Sequence, residues 1–244
     1  MVPSGYLKLL TIGLSVELLL SLSLAADAQP KLKVTNATFL QKNTTVSQEN
    51  FTPPKQGKPK DTSGAGSRSD LKCSQKEGAI QPLMPKKNYG LTLQERPTIF
   101  IQMPKTSARQ VVLMFRDETG EFYERAFLPI NSHDAIIGFT LPKQKQPLAV
   151  GKSYQWSLVV VCGDSVQPDD PVFMGWVQRV QRTPELESEL RQKKTTTEQV
   201  AWYGERGYWY DMVSTIVQAK QSNPDDAKLV AIWRDLLESE GISN

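Results

Sequence analysis

Apolar residues change their period once along the chain. From Pro82 to Arg182 they come in short runs rich in β-branched and aromatic residues, broken by Pro, Gly and Asp; after Arg182 they recur every three or four positions. In the first stretch, Thr98–Met103 lies between Pro97 and Pro104. Val111–Arg116 and Phe122–Leu128 flank Asp117-Glu118-Thr119-Gly120, which reads as a hairpin loop with Gly at a positive-φ position. Ile136–Leu141 ends at Pro142, Tyr154–Cys162 is the richest run, and Met174–Arg182 closes the series. Six or seven short strands with this punctuation predict a β-sandwich.

One local spacing sharpens that expectation. Leu148 stands six residues before Tyr154, at the entry of the richest run. This resembles the tyrosine corner of immunoglobulin-like and fibronectin-type sandwiches, in which the phenol hydroxyl bonds to the backbone of the preceding loop. Within the run, Trp156, Leu158 and Val160 share one face and Val159 and Val161 the other. A strand apolar on both faces is central, or is covered by helices.

Thr183-Pro184-Glu185 reads as an N-cap, a Pro at the first helical position and an acidic first turn, with Leu186 and Leu190 facing inward. Thr197–Arg206 carries Val200, Trp202 and Tyr203 and stops at Gly207. Tyr208–Gln221 places Trp209, Met212, Val213, Ile216 and Val217 on one side. Asp225–Glu240 repeats the plan with Leu229, Ile232, Trp233, Leu236 and Leu237, and Gly241 caps it. The expected fold is therefore α+β: an immunoglobulin/fibronectin-like sandwich over residues 73–182, then a helical cap over 183–244.

The chain begins differently. Lys8 precedes a Leu-rich run, Leu9 to Ala26, that ends in Ala26-Asp27-Ala28. A positive start, an apolar middle and a small-x-small exit form a secretory signal over residues 1–28, cleaved before Gln29. Glu17 interrupts the run, and an acidic residue inside a membrane span costs roughly 2.5–3.5 kcal/mol. The mature chain is thus expected to be exported, periplasmic or extracellular, and not embedded in a membrane. Residues 29–72 hold eight Lys and Arg against three acidic residues, with Pro53-Pro54 and Gly64-Ala65-Gly66 and no apolar period, and read as a disordered basic tail. The formal charge of the whole chain is +3. Its excess belongs to this tail, so the folded part offers no electrostatic basis for nucleic-acid binding.

Cys73 and Cys162 are the only cysteines. In an oxidising compartment an even pair reads as one disulfide, closing a loop of about 90 residues; two buried thiols are the alternative.

Chemistry is sparse. The single His, His133, sits in a turn-like Asn131-Ser132-His133-Asp134 and has no second imidazole to work with. Asp164, Asp169 and Asp170 share one loop, but their spacing fits no known calcium loop. Glu185, Glu187 and Glu189 read as a solvated helix face. No phosphate loop, zinc spacing or dinucleotide fingerprint occurs, and no catalytic, cofactor or metal residue is assigned. The unusual feature is aromatic: Trp202, Tyr203, Tyr208, Trp209 and Tyr210 fall within nine residues, with Trp176 and Trp233 elsewhere. Helical spacing assigns Trp202, Trp209 and Trp233 to the core. Tyr208 and Tyr210 flank Trp209 and cannot all point inward on one helix, which makes Trp176, Tyr208 and Tyr210 the partner-binding candidates.

Several segments together resemble a known family, the cyanobacterial secreted proteins grouped as domain of unknown function 928. They are Gly66-Ser67-Arg68 before Cys73, Pro82-Leu83-Met84-Pro85 running to Gly90-Leu91-Thr92, Arg96-Pro97-Thr98, and Leu148-x-x-Gly-Lys-x-Tyr-x-Trp156. Gly175-Trp176-Val177-Gln178-Arg179-Val180, Tyr203 to Asp211 and Trp233-Arg234-Asp235-Leu236-Leu237 complete the set. The resemblance carries no activity. The expectation is an exported, non-enzymatic interaction module that binds an envelope or extracellular protein. The alternatives are a polysaccharide-binding module of the envelope and a two-carboxylate hydrolase.

Overall fold

The strand-like half pairs into two sheets. In chain order its strands are β1 (Gln81–Pro82), β2 (Tyr89–Thr92), β3 (Ile99–Gln102), β4 (Gln110–Asp117), β5 (Tyr123–Pro129), β6 (Ile136–Phe139), β7 (Ser153–Val161) and β8 (Val172–Arg179). Four helices follow: α1 (Pro184–Gln192), α2 (Thr196–Glu205), α3 (Trp209–Ser222) and α4 (Ala227–Glu240). The computed structural model describes residues 51–55, 73, 79–131 and 135–243. The expected signal, most of the expected tail, and His133 lie outside the described residues.

The fold is α+β. One sheet has three strands in the order β1-β3-β6, and the other has five in the order β2-β8-β7-β4-β5. Strand β7 is the middle strand of the larger sheet, as its two apolar faces require. Val111, Leu113 and Phe115 of β4 and Tyr154, Trp156, Leu158 and Val160 of β7 share one buried cluster with Ile99 and Ile101 of β3 and Trp209, Met212 and Ile216 of α3. On the opposite face Val112, Val159 and Val161 form a separate small cluster. The first is called the inner face below, the second the outer face.

Strands β1 and β2 are absent from the sequence reading. β2 is four residues long, contains Gly90, and pairs parallel with β8 across more than eighty intervening positions, a contact with no local signature. Gly90 is there for a steric reason: a Cβ on it would stand 2.6 Å from the Cβ of Trp209. The Leu148–Tyr154 spacing does form its bond, since the Ala149 N–H donates to Tyr154 Oη at 2.9 Å, with Leu148 and Tyr154 both buried.

The helix ends follow their capping residues. Thr183 Oγ1 accepts from the Leu186 N–H, Thr195 and Glu198 make a reciprocal capping box, and Asp226 accepts from Lys228 and Leu229. Helix α3 carries several of the polar bonds that tie the helices to the β half, beside the Leu91 N–H to Gly207 O bond and the Lys86 N–H to Glu240 bond of α4. Trp209 Nε1 donates to Leu83 O at 3.0 Å, and Asp211 accepts from the Leu93 N–H at 3.0 Å and Gln94 Nε2 at 3.2 Å. Burial pushes the Asp211 carboxyl up from the ordinary carboxylate range, against the opposing pull of Leu93, Thr92 and Gln94.

Two connections reach in from the N-terminal side. A disulfide joins Cys73 to Cys162, just past the end of β7, across 89 positions, and Cys73 O accepts from Thr106 Oγ1 at 2.7 Å. Phe51 lies in the stretch expected to be tail, yet it is buried, with its ring edge-on to Trp209 at 4.9 Å between centroids. The next residue, Thr52, donates its N–H to Gly204 O at 3.0 Å. An isolated aromatic in a polar stretch has no periodicity, so only a ready-made apolar socket reveals its role.

Two predictions follow from these anchors. Replacing both cysteines by serine, or reducing the bridge, lowers the unfolding free energy by about 2–4 kcal/mol, read from denaturant midpoints with and without reductant. A raised Asp211 means that folding takes up a proton. Its contribution is fully present below the unfolded carboxylate value and declines as pH rises through the folded one. Unfolding free energy of wild type relative to Asp211→Asn should therefore fall as pH rises above the ordinary carboxylate range; a rise would contradict the assignment.

Candidate functional site

The inner face is consumed by packing, so any recognition surface on the larger sheet has to lie on its outer face or free edge. Strand alternation places Tyr123, Arg125 and Phe127 of β5, Arg116, Met114 and Val112 of β4, and Gln155 and Ser157 of β7 on that face. Among the described residues, Tyr123 and Phe127 are the most exposed large apolar side chains, each at 54%. They stand two pleats apart on the edge strand. Tyr123 Oη lies 3.3 Å from Met114 Sδ, and the Arg125 guanidinium sits 5.4 Å above the Phe127 ring. On the same face Met114 and Val172, partly buried, pack beside Val112 and Val159.

The run Phe122–Leu128 reads as a strand in the sequence, without a division between its two faces. The signal is there: in Tyr123-Glu124-Arg125-Ala126-Phe127-Leu128 both parities hold apolar residues, although only one parity can enter the core.

The three aromatic candidates fare differently. Tyr208 and Tyr210 are buried at 5% and 3% and are withdrawn as partner-binding residues. Tyr208 is the N-cap of α3, outside the helical wheel, and its ring lies 5.6 Å from that of Trp202 in a stacked arrangement. Tyr210 accepts from Trp156 Nε1 at 2.6 Å and donates to Trp176 O at 2.9 Å, and burial raises its phenol well above the ordinary range. The start of α3 is enclosed on every side, so all three consecutive aromatics are inside. Trp176 alone reaches the surface, half-buried on the outer face opposite Gln155 and beside Tyr89.

At one end of the larger sheet the hairpin loop after β4 and the turn before β7 enclose a polar cleft of about 440 Å³. It is lined by Asp117, Glu118, Thr119, Gly151, Lys152, Ser153 and Gln178. Asp117 is committed to the loop itself: its carboxylate accepts from the Phe122 N–H and Thr119 Oγ1, both at 3.1 Å, with Lys152 Nζ at 3.7 Å. Desolvation raises this carboxyl, but the Phe122, Thr119 and Gly120 hydrogen bonds and Lys152 outweigh it and hold it below the ordinary range. At the cleft floor Gln178 accepts from Tyr89 Oη at 2.9 Å and donates to Gly151 O at 3.1 Å, and burial pushes the Tyr89 phenol up to about 12. Asp170 closes the loop after β7 by accepting from the Cys162 and Gln167 N–H groups. No group of three or more His, Cys, Asp or Glu placed to hold a metal occurs among the described residues. Nor, among them, is any helix long and apolar enough to cross a membrane.

Comparison with known proteins adds a family. The family model described as Domain of Unknown Function (DUF928) matches residues 63–244. No curated protein matches the chain. Among solved structures the chain is similar to the fn3 domain of human collagen alpha-1(XX) chain, at 11% identity and a TM-score of 0.29, covering 43% of this chain and 82% of that one.

The buried tyrosine yields a direct check. Tyr210→Phe removes the acceptor of the Trp156 indole N–H, and an unpaired buried donor costs roughly 1–3 kcal/mol. Thermal and denaturant unfolding should show that loss. Equal stability of the variant would mean that the hydroxyl carries no structural bond.

Proposed function

The chain belongs to the DUF928 family, and on that premise we propose that it is a non-enzymatic interaction module, exported to the periplasm or beyond, that docks another envelope or extracellular protein. Its two sheets form an immunoglobulin/fibronectin-like sandwich roofed on the inner side by the helices, and the docking face is the outer face of the larger sheet. The observation that carries this reading is the pair Tyr123 and Phe127, two large rings more than half exposed on one face of an edge strand. Tyr and Phe supply much contact area for little side-chain entropy, and they rank among the residues enriched at protein interfaces. The Cys73–Cys162 bridge is consistent with export, since such bonds persist in oxidising compartments.

The polar cleft favours a second reading, a carbohydrate-binding module of the cell envelope. Its lining offers Lys152, Ser153, Thr119 and Gln178 as hydrogen-bonding groups but no aromatic ring for a sugar to stack on. For the two-carboxylate hydrolase the cleft is a poor host, because the Asp117 carboxylate is occupied by the Phe122 N–H and Thr119 hydroxyl of its own loop.

Affinity capture from the native envelope tests the leading reading. Replacing Tyr123 and Phe127 together by serine should weaken capture of the partner at least tenfold, about 1.4 kcal/mol, with unfolding midpoints unchanged. Undiminished capture by the double variant refutes the docking face. Specific, saturable binding on a glycan array, lost in Gln178→Ala, would favour the sugar reading instead.

A further inference from the structure

Strand β5 is the free edge of the five-stranded sheet: among the described residues it pairs only with β4. The hydrogen-bonding parity along this edge follows from two bonds that continue the ladder. The Ile130 N–H donates to Arg109 O at 2.8 Å, and the Asp117 N–H to Phe122 O at 3.2 Å. Residues opposed in the same phase, Glu124, Ala126 and Leu128, therefore turn their N–H and C=O groups toward β4. Tyr123, Arg125 and Phe127 turn theirs outward, as does the C=O of Pro129. Natural edge strands are usually short, bulged or blocked by inward-pointing charge. β5 is seven residues long; its inward-pointing charge, Glu124, is paired with Lys145, and its outward-bonding residues are Tyr123, Arg125 and Phe127, with Pro129 at the end.

We infer that this edge pairs antiparallel with the same strand of a second copy, about a two-fold axis at Ala126, joining the two larger sheets into one. The proposal concerns the backbone edge of the strand that carries the outer-face rings, in addition to the docking of another protein proposed above, and rests on that face being free. Self-complementarity carries it. With the axis at Ala126, Arg125 lies opposite Phe127 of the second copy in both directions, so each guanidinium meets a ring of the kind it already covers within its own chain. Arg125 and Phe127 exchange both backbone bonds, and the Tyr123 N–H reaches the second copy's Pro129 C=O. Pro129 lacks an N–H only at the last rung of the pairing. Of the two registers one pleat away, an axis at Arg125 sets two guanidinium groups side by side, and an axis at Phe127 sets each Arg125 opposite Pro129, which has no N–H to return the bond; both are disfavoured. Glu124, on the other face, already has Lys145 Nζ at 3.3 Å and the Gln146 N–H, so it brings no unpaired charge to the seam. At the axis the opposed side chains are two alanines, small enough for the close approach of a non-hydrogen-bonded pair.

Sedimentation equilibrium of the purified full chain over micromolar to sub-millimolar concentrations, with residue-resolved amide exchange on the same samples, tests this. The expected result is a reversible doubling of mass accompanied by new protection at the Tyr123, Arg125 and Phe127 amides, with Glu124, Ala126 and Leu128 unchanged. Arg125→Pro deletes one outward donor that the isolated chain leaves to solvent, and should abolish the doubling while the chain stays folded. If that variant does not fold, Phe127→Glu serves, with the same loss expected. A monomer at every concentration overturns the inference, as does a dimer that leaves these three amides unprotected or that persists in the variants. Protection that appears only on adding an envelope extract assigns the edge to a different protein and also overturns it. A monomeric chain that still captures its partner through Tyr123 and Phe127 sinks the self-pairing alone and leaves the docking face standing.

Discussion

A large indole in the middle of a central strand brings a donor that water cannot reach, and the organisation of this protein follows from how that donor is met. Trp156 is fully buried on β7, and its Nε1–H has one acceptor, Tyr210 Oη, whose own hydrogen goes to the carbonyl of Trp176 on β8. An unmet donor there would cost a good fraction of a domain's net stability. Gly175 is part of the same arrangement, because a Cβ at that position would stand 2.5 Å from Trp156 Cζ2. Flanking residues extend the junction: Trp209 bonds Leu83 before β2, and Asp211 bonds Leu93 and Gln94 after it. Three consecutive side chains at the start of α3 thus bolt the helical segment to three different stretches of the β half.

That bolt decides which surfaces are left. With the helices bound on the inner side, the outer face of the five-stranded sheet keeps its side chains at the surface, and the strand order puts β5 at the rim with Tyr123, Arg125 and Phe127. The proposed docking face is a consequence of this asymmetry. The cleft at the end of the sheet comes from the hairpin loop, where Asp117 gathers Phe122, Thr119 and Lys152 around itself; its polarity follows from turn chemistry.

Much of the scaffold is legible from residue pattern. The strands from β3 to β8 lie where β-branched runs meet Pro or Gly, α1 begins at its expected cap Thr183, the other helices begin close to where their apolar patterns start though the caps Thr195 and Asp226 are not among the expected ones, and the disulfide pairs the two available cysteines. What pattern does not reveal is of two kinds. Contacts with no local signature, such as the parallel β2–β8 pairing and the seating of Phe51 on Trp209, depend on surfaces that exist only after folding. Exposure depends on what packs around an element, not on the element's own period. The wheel argument leaves one of Tyr208, Trp209 and Tyr210 outside, but neighbours on every side bury all three. The same gap hid Tyr123 and Phe127: their alternation is plain in the sequence, yet only the strand order shows that their face stays open.

The central claim is that the Trp156–Tyr210 bond makes sheet and helices one cooperative unit. Native-state hydrogen exchange across a denaturant series addresses it most directly. The amides of Leu158 and Val160 in β7 and of Met212 and Ile216 in α3 should converge on a single unfolding free energy equal to the global value, with the Trp156 indole proton exchanging alongside them. An α3 isotherm that stays well below that of β7, with the indole proton following α3, would show that the helices detach on their own and that the bolt does not hold the molecule together.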